Sequence, residues 1–138
     1  MNLNKAFIIG RLVQDVDFKI APSGTPIAII NIATNRNYRD KNGIARIETE
    51  FHRVVAWGKL AELCRDYLKK GQLVLVEGRI HYRMWLSADG TKRTTTEIIA
   101  ENITFGPKPS LEITESEEIP EELKEFEEPP PDIWEIQF

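Results

Sequence analysis

The stretch from residue 49 to residue 71 changes its apolar period midway, and this change restricts the folds that the chain can adopt. Its first half carries rings, a cation and Val at alternate positions: Phe51, Arg53, Val55 and Trp57. Alternate residues of a strand share a face, so these side chains lie on one side of a predicted strand over residues 49–57. From residue 60 onward, apolar residues recur at helical spacing. The stretch therefore predicts a strand that bears flat rings and a cation, followed by a short helix.

The predicted helix, residues 60–70, carries one apolar stripe: Leu60, Leu63, Cys64, Tyr67 and Leu68. We expect Tyr67 to pack in the core, together with Phe7 and Met84 of the strands. Cys64 is the only cysteine, which excludes an internal disulfide bond and fits a reducing compartment. Because it lies on the apolar stripe, its thiol is expected to be buried and unreactive.

Strand patterns precede and follow this helix. They cover residues 5–13, with an extended continuation over 16–20, and then residues 27–35, 49–57, 72–86 and 94–103. Residues 35–43 are polar and predict a long, mobile loop, within which Asn42-Gly43 can form a hairpin turn. Gly10 and Gly78 interrupt strand patterns and predict bends of the kind that barrels need.

Five strands with one short helix between strands 3 and 4 predict an all-β fold, the five-stranded OB-fold barrel. A sandwich would require more strands, and a doubly wound α/β sheet would require more helices. We assign residues 1–106 to this domain and residues 107–138 to a tail.

The tail is set apart by its charge. Residues 1–110 contain 17 Lys and Arg against 11 Asp and Glu, a charge of +6, whereas residues 111–138 contain one Lys against 11 acids, a charge of −10. Like charges and few apolar residues predict an acidic, disordered tail. The chain ends with a group of apolar and acidic residues that predicts a docking peptide for other proteins: Asp132, Ile133, Trp134, Glu135, Ile136 and Phe138. The alternative is that these residues pack on their own barrel or on a second subunit.

A second strand repeats the pattern of rings and cations. Alternate positions of residues 72–86 carry Arg79, His81, Arg83 and Trp85, and Tyr38 lies between cations in the predicted loop. Exposed rings can stack on nucleobases and cations can neutralise phosphates, which favours binding of unpaired nucleic acid. The alternative for these rings is burial in the core.

Several classes of function lack support in the sequence. The two histidines are 29 positions apart and no pair of cysteines exists, so we expect no metal and no cofactor. No nucleophilic triad, glycine-rich phosphate loop or pair of catalytic carboxylates is present in a suitable context, so we expect no enzyme. Without a signal peptide or a membrane-spanning run, the protein is expected in the cytoplasm and not at a membrane.

Several short segments resemble the bacterial single-stranded DNA-binding proteins over about residues 3–105. The resemblance is densest in residues 57–62, WGKLAE, and 67–71, YLKKG, and it extends to NK, IGRL, FHRVV and VEG at residues 4–5, 9–12, 51–55 and 76–78. It implies a homotetramer of OB domains that is associated with the nucleoid, that binds single-stranded DNA in replication, recombination and repair, and whose tail recruits partner proteins. It also implies base stacking on Tyr38, Phe51, Trp57 and Trp85, and phosphate contacts from Arg36, Arg39, Arg53, Arg79 and Arg83.

Two further positions follow from the resemblance. His52 corresponds to a position near a subunit contact, which implies a structural role. At the C-terminus, Phe138 matches the family, but Gln137 replaces the usual Pro and the acids are spread through Asp132 and Glu135.

Three rival functions remain open at this point. An RNA-binding OB module would differ by contacts to the 2′-hydroxyl, which sequence cannot reveal. A primosome-like accessory OB protein generally lacks such a tail. A small hydrolase acting on nucleic acids would need the ligand or catalytic set that the sequence lacks.

Overall fold

The computed structural model describes residues 1–107, and the tail predictions for residues 108–138 lie outside the described part. Six strands and one helix follow one another: β1 (Ala6–Leu12), β2 (Asp17–Ile20), β3 (Pro26–Arg39), β4 (Ala45–Trp57), α1 (Lys59–Tyr67), β5 (Leu73–Leu86) and β6 (Lys92–Phe105). Each long strand overlaps a predicted one. Among the described residues, no helix has the length and apolar character needed to cross a membrane.

The five long strands form a closed barrel. Sheet neighbours follow the order β1-β5-β6-β4-β3-β2, and β1 also pairs with β3 through Arg11↔Ala33 and Leu12↔Ile32, which closes the ring. All pairs are antiparallel except β4 with β6, which run parallel through Val54↔Ile98 and Val55↔Ile99. The short β2 pairs with β3. The prediction of a five-stranded OB-fold barrel is confirmed, and its helix lies between the third and fourth long strands, β4 and β5, as predicted.

Alternation of side chains along each strand fills the inside of this barrel. Residues of one parity on β3, β4 and β5 are almost fully buried, among them Ile30, Ile32, Val54, Val74 and Val76. Three residues of α1 and its end join the same core: Ala61, Cys64 and Leu68. Burial without a charged partner raises the pKa of the Cys64 thiol to about 12, so the predicted unreactive thiol agrees with the structure.

Two glycines allow neighbouring strands to approach closely. A Cβ atom at Gly10 would lie 2.4 Å from the carbonyl oxygen of Ala33, and one at Gly78 would lie 2.2 Å from that of Ile99. The β5–β6 register shifts between Glu77 and Gly78, so Gly78 lies at a bulge, as expected.

The prediction of a loop over residues 35–43 is wrong for residues 35–39. These residues belong to β3, which continues to Arg39 and pairs with β4 along the whole hairpin. Polar side chains are tolerated there because the hairpin is open to solvent, and Arg36 pairs with Glu48 across it. The turn itself lies where Asn42-Gly43 predicted it. The Asp40 carboxylate accepts hydrogen bonds from the backbone of Ile44 and Asn42, which holds the pKa of Asp40 below its usual value.

The expectation that Phe7, Tyr67 and Met84 are core residues is wrong. Phe7 and Met84 are more than 60% exposed, at 63% and 69%, and more than half of the Tyr67 surface is also open, although its ring contacts Phe105. Phe7 has the parity that faces outward on β1, and Met84 lies where the β5–β6 hairpin extends past the core. For Phe7 the predicted face was therefore wrong, whereas Met84 has the inward parity but lies beyond the end of the core.

We predict that Gly78→Ala destabilises the protein by about 1–3 kcal/mol, since the added methyl group would collide with the backbone of Ile99. The comparison variant is Gly90→Asn, at a turn position where an added Cβ would have no neighbouring atom within 4 Å. The backbone φ there is 83°, and Asn tolerates a positive φ. Chemical denaturation measures both. Equal stability of Gly78→Ala and the wild type would contradict the close approach.

The environment of His52 predicts that the folded barrel becomes less stable at acidic pH. Its imidazole is half-buried and hydrogen-bonded to Thr34 Oγ1 over 2.8 Å, and this burial lowers its pKa below the usual 6.5. The unfolded chain therefore binds a proton that the folded chain resists, and stability falls as the pH drops below about 6.5. Thermal melts between pH 7.5 and 5 should show this loss in the wild type and a smaller loss in His52→Gln. Equal loss in both proteins would refute it.

Candidate functional site

Rings and cations of β4 and β5 lie on the outer surface of the barrel. On β4 the neighbours Val54 and Ala56 point into the core, so the alternate residues face outward. The same holds for β5 and β6 beyond the bulge. We define the aromatic–basic face as the outward residues of these three strands: Phe51, Arg53, Val55 and Trp57 of β4, Arg79, His81, Arg83 and Trp85 of β5, and Arg93, Thr95, Glu97 and Ile99 of β6.

The three strands form one continuous surface because β6 lies between β4 and β5. Its pairing with β5 sets His81 opposite Glu97 and Arg83 opposite Thr95, while its pairing with β4 sets Val55 opposite Ile99. Contacts between side chains agree with these registers, since Arg53 of β4 and Arg83 of β5 both reach Glu97. The two ring-and-cation patterns that are 20 or more positions apart in sequence therefore meet on one surface.

The rings of the aromatic–basic face are open to solvent. Phe51 is 48% exposed, Trp57 47% and Trp85 40%, so these rings are not core residues. The indole Nε1–H of Trp85 donates to Thr95 Oγ1 over 2.8 Å, which fixes the orientation of this ring on the sheet. Trp57 ends β4 directly before Gly58, whose φ of 65° turns the chain into α1. The structure thus presents three partly exposed aromatic surfaces on one side of the barrel.

The cations of this face surround one carboxylate. Glu97 is buried, with Arg53 Nε 3.3 Å and Arg83 Nε 3.7 Å from its Oε2 and His81 Nδ1 3.2 Å from its Oε1. Arg79 lies on the same face, opposite Ile99, and is exposed. The positive side chains outnumber the single acid, so the centre of the face retains a positive charge.

Tyr38, Arg36 and Arg39 lie apart from this face, in the distal half of the β3–β4 hairpin. Register and alternation put Tyr38 and Arg36 on the side opposite Phe51, with Arg36 stacked 5.0 Å from the centre of the Tyr38 ring. The ion pair with Glu48, at 2.6 Å, raises the pKa of Arg36. Arg39 has the parity of Phe51, and its Nη1 donates to the Gly43 carbonyl near the turn. The structure therefore brings together six of the nine predicted nucleic-acid residues and separates these three.

Sequence reasoning gave no role to Thr95 and Glu97. Both lie in the segment TTTEIIAENI, which predicted only a β-branched strand. The signal that was available is an acid between β-branched residues of the strand, since a charged side chain that becomes buried needs a partner. Identifying that partner required the order of the strands.

Stacking and phosphate neutralisation are the chemistry that this face can perform. Within residues 1–107, no group of three or more His, Cys, Asp or Glu is placed to hold a metal ion. Flat rings separated by guanidinium groups match the alternation of bases and phosphates along an unpaired strand.

Comparison with known sequences identifies the family to which the chain is similar. The sequence profile of the Single-strand binding protein family matches residues 3–106. The single-stranded DNA-binding protein of Thermotoga maritima is 42% identical over 123 residues, which covers 86% of this chain and 87% of the relative. The protein of the same name from Aquifex aeolicus is 42% identical over 128 residues, covering 91% and 86%.

Solved structures agree in fold. A Plasmodium falciparum SSB complex with ssDNA superposes with a TM-score of 0.72 at 33% identity, covering 78% of this chain and 97% of that one. A deletion mutant of the single-stranded DNA binding protein from Thermus aquaticus gives a TM-score of 0.67 at 38% identity, covering 76% and 51%. A family match over three quarters of its length, on a barrel with these rings and cations outside, shows that the chain belongs to the Single-strand binding protein family.

Proposed function

We propose that this protein binds single-stranded DNA with little sequence preference and has no catalytic activity. The observation that carries the proposal is the aromatic–basic face, where Phe51, Trp57 and Trp85 are each at least 40% exposed among arginines. The names of its relatives support DNA as the nucleic acid.

Exposed rings favour unpaired strands over duplexes. A base stacked on a ring contributes about 1–3 kcal/mol, and every base has a π-face, so binding tolerates changes of sequence. In a duplex these faces are covered by neighbouring bases. Stacking on Phe51, Trp57 and Trp85 therefore provides the discrimination against double-stranded DNA.

Arginines provide capture and salt dependence. Arg53, Arg79 and Arg83 lie between the rings, and each phosphate that is neutralised on a single strand adds about −0.7 to the slope of log K against log salt. Guanidinium groups also bind phosphate oxygens in pairs, which orients the backbone.

The hairpin positions imply a second segment of contact. Tyr38 and Arg36 face away from Phe51, so a bound strand reaches them only by passing around the β3–β4 hairpin. Arg39, near the turn, lies along this path. The same bound strand then contacts the aromatic–basic face first and the hairpin afterwards.

We further propose that the protein acts in replication, recombination and repair in the cytoplasm as a homotetramer. Residues 6–10 of β1 have no strand partner on the side away from β5 within the described chain, and Phe7 and Ile9 are exposed beside that edge. An open edge with apolar side chains favours pairing with another subunit.

The acidic tail completes the proposal. Its 11 acids compete with phosphates for the basic barrel, and its final residues, Asp132, Ile133, Trp134, Glu135, Ile136 and Phe138, dock onto replication and repair proteins. A tethered competitor weakens binding most at low salt, where charge interactions are least screened.

Trp85→Ala is expected to lower the affinity for a poly-pyrimidine DNA oligomer about 5- to 100-fold, because one stacked base is lost. The matched control is Tyr82→Ala, three positions away on the opposite face of the same hairpin and 64% exposed. Titration followed by intrinsic tryptophan fluorescence measures both, and the wild-type signal should be quenched on binding.

The same titration tests the proposed function. A duplex of the same sequence should bind far more weakly, the RNA oligomer should bind less tightly than the DNA, and the DNA should be recovered intact after incubation with Mg²⁺. Tighter binding of RNA than of DNA would indicate an RNA-binding module, and cleavage products would indicate a hydrolase. Equal losses in Trp85→Ala and Tyr82→Ala would show that the aromatic–basic face is not the binding surface.

Removal of residues 107–138 should tighten single-strand binding at low salt and abolish capture of replication and repair proteins by the purified protein. Removal of residues 132–138 alone leaves nine of the 11 acids, so it should abolish capture while affinity for DNA stays close to that of the wild type. Fluorescence titration at two salt concentrations and pull-down assays measure the two effects. Unchanged affinity of the longer deletion at low salt would exclude competition by the tail.

A further inference from the structure

Glu97 is the one acid at the centre of the aromatic–basic face, and it contacts both neighbouring strands. Its side chain is only 6% exposed, whereas those of Arg53, His81 and Arg83 are 36%, 41% and 46% exposed. A buried carboxylate is stable only when its charge is compensated, and here two guanidinium groups supply the compensation. The acid therefore forms part of the binding surface without facing the solvent.

The contacts with Glu97 use the inner side of each guanidinium group. In both Arg53 and Arg83 the nitrogen nearest to the carboxylate is Nε, at 3.3 and 3.7 Å. An arginine has five N–H donors, and four of them are on the two terminal nitrogens. Within residues 1–107, those terminal nitrogens make no hydrogen bond in either residue. The four terminal N–H donors of each guanidinium are thus free for another acceptor.

We propose that Glu97 is a positioning residue: it holds Arg53 and Arg83 by Nε so that their terminal nitrogens form a preorganised phosphate site between the rings of β4 and β5. The phosphate oxygens accept hydrogen bonds from the outer donors, and the carboxylate remains behind the guanidinium groups. Fixing two long side chains before the ligand arrives removes part of the ordering cost from binding. This inference rests on the proposed function, because the phosphate belongs to the bound strand.

The carboxylate has an opposing electrostatic effect. Two guanidinium groups and one carboxylate leave the cluster with one positive charge, and loss of the carboxylate would leave two. The additional charge can neutralise a further phosphate, which steepens the salt dependence by about 0.7. Glu97 therefore weakens the nonspecific attraction of DNA at low salt and strengthens directed contacts with phosphate that persist at high salt.

Glu97→Gln tests this, because the amide is nearly the same size and cannot pair with both arginines. Its plot of log K against log salt should be steeper than the wild-type plot by about 0.7, and the two lines should cross. The variant then binds more tightly at low salt and more weakly at high salt, with a relative change of about fivefold per tenfold change in salt. Glu97→Asp, which retains the charge, should restore the wild-type slope.

Glu101→Gln is the matched control, since it makes the same change of charge on the same strand. Glu101 is 52% exposed and pairs with Lys5, away from the arginine cluster. Its slope should equal that of the wild type. Parallel lines for Glu97→Gln and the wild type, with or without an offset, would overturn the proposal, because a purely structural role changes affinity without changing the slope.

The positioning is also measurable without DNA, which separates this inference from the proposed function. In the free wild-type protein, the Nε–H NMR signals of Arg53 and Arg83 should be dispersed and exchange slowly with solvent. Arg79, on the same face but not in contact with Glu97, supplies the reference for a mobile side chain. Exchange of Arg53 and Arg83 as fast as that of Arg79 would overturn the proposal, even if Glu97→Gln does not fold. Absence of DNA binding by a wild type with ordered arginines would refute only the proposed function.

Discussion

The short parallel ladder between β4 and β6 is the interaction on which the rest of the structure depends. It consists of only two residue pairs, Val54↔Ile98 and Val55↔Ile99. Val54 and Ile98 seal the core, so this contact is fixed by burial of apolar surface and not by the number of backbone hydrogen bonds. The same two pairs fix the register of the outer face. A slip by one residue would move Glu97 inward and Ile98 outward, which would expose the core and separate the arginines from their carboxylate.

The alternation of side chains along the strands therefore determines both the buried core and the outer aromatic–basic face. The inward parity of the barrel wall is aliphatic and densely packed, whereas the outward parity carries rings and cations. No loop has to order before the aromatic–basic face exists, since its groups stand on paired strands. Hydrogen bonds and ion pairs add local precision: Thr95 orients the indole of Trp85, and Glu97 contacts both Arg53 and Arg83.

Charge is distributed in two opposed parts of the chain. The barrel with its connection to the tail carries +6 and the last 28 residues carry −10, so the overall charge of −4 describes neither part. In the proposed function, the positive surface attracts single strands, and the acidic segment competes with them to an extent that depends on salt. Within the barrel, Glu97 has a related effect at short range, because it reduces the net charge of the arginine cluster while it orders the cluster. Affinity and its salt response can thus change independently.

The sequence alone determined the element order, the inward and outward parities of β4 and β5, the glycine bends, and the rings and cations at positions 51–57 and 79–85, because these depend on local periodicity and turn chemistry. Exposure of Met84 and the length of the β3–β4 hairpin could not be predicted, since they depend on where the closed barrel ends, and the outward direction of Phe7 became clear only from the pairing of β1. Only the tertiary structure decided that β6 lies between β4 and β5. That order joins two distant patterns into one face and places Glu97 among the arginines, while the register of β3 with β4 puts Tyr38 and Arg36 on the other side of the hairpin. Side chains from three strands become neighbours through sheet order, which no local pattern encodes.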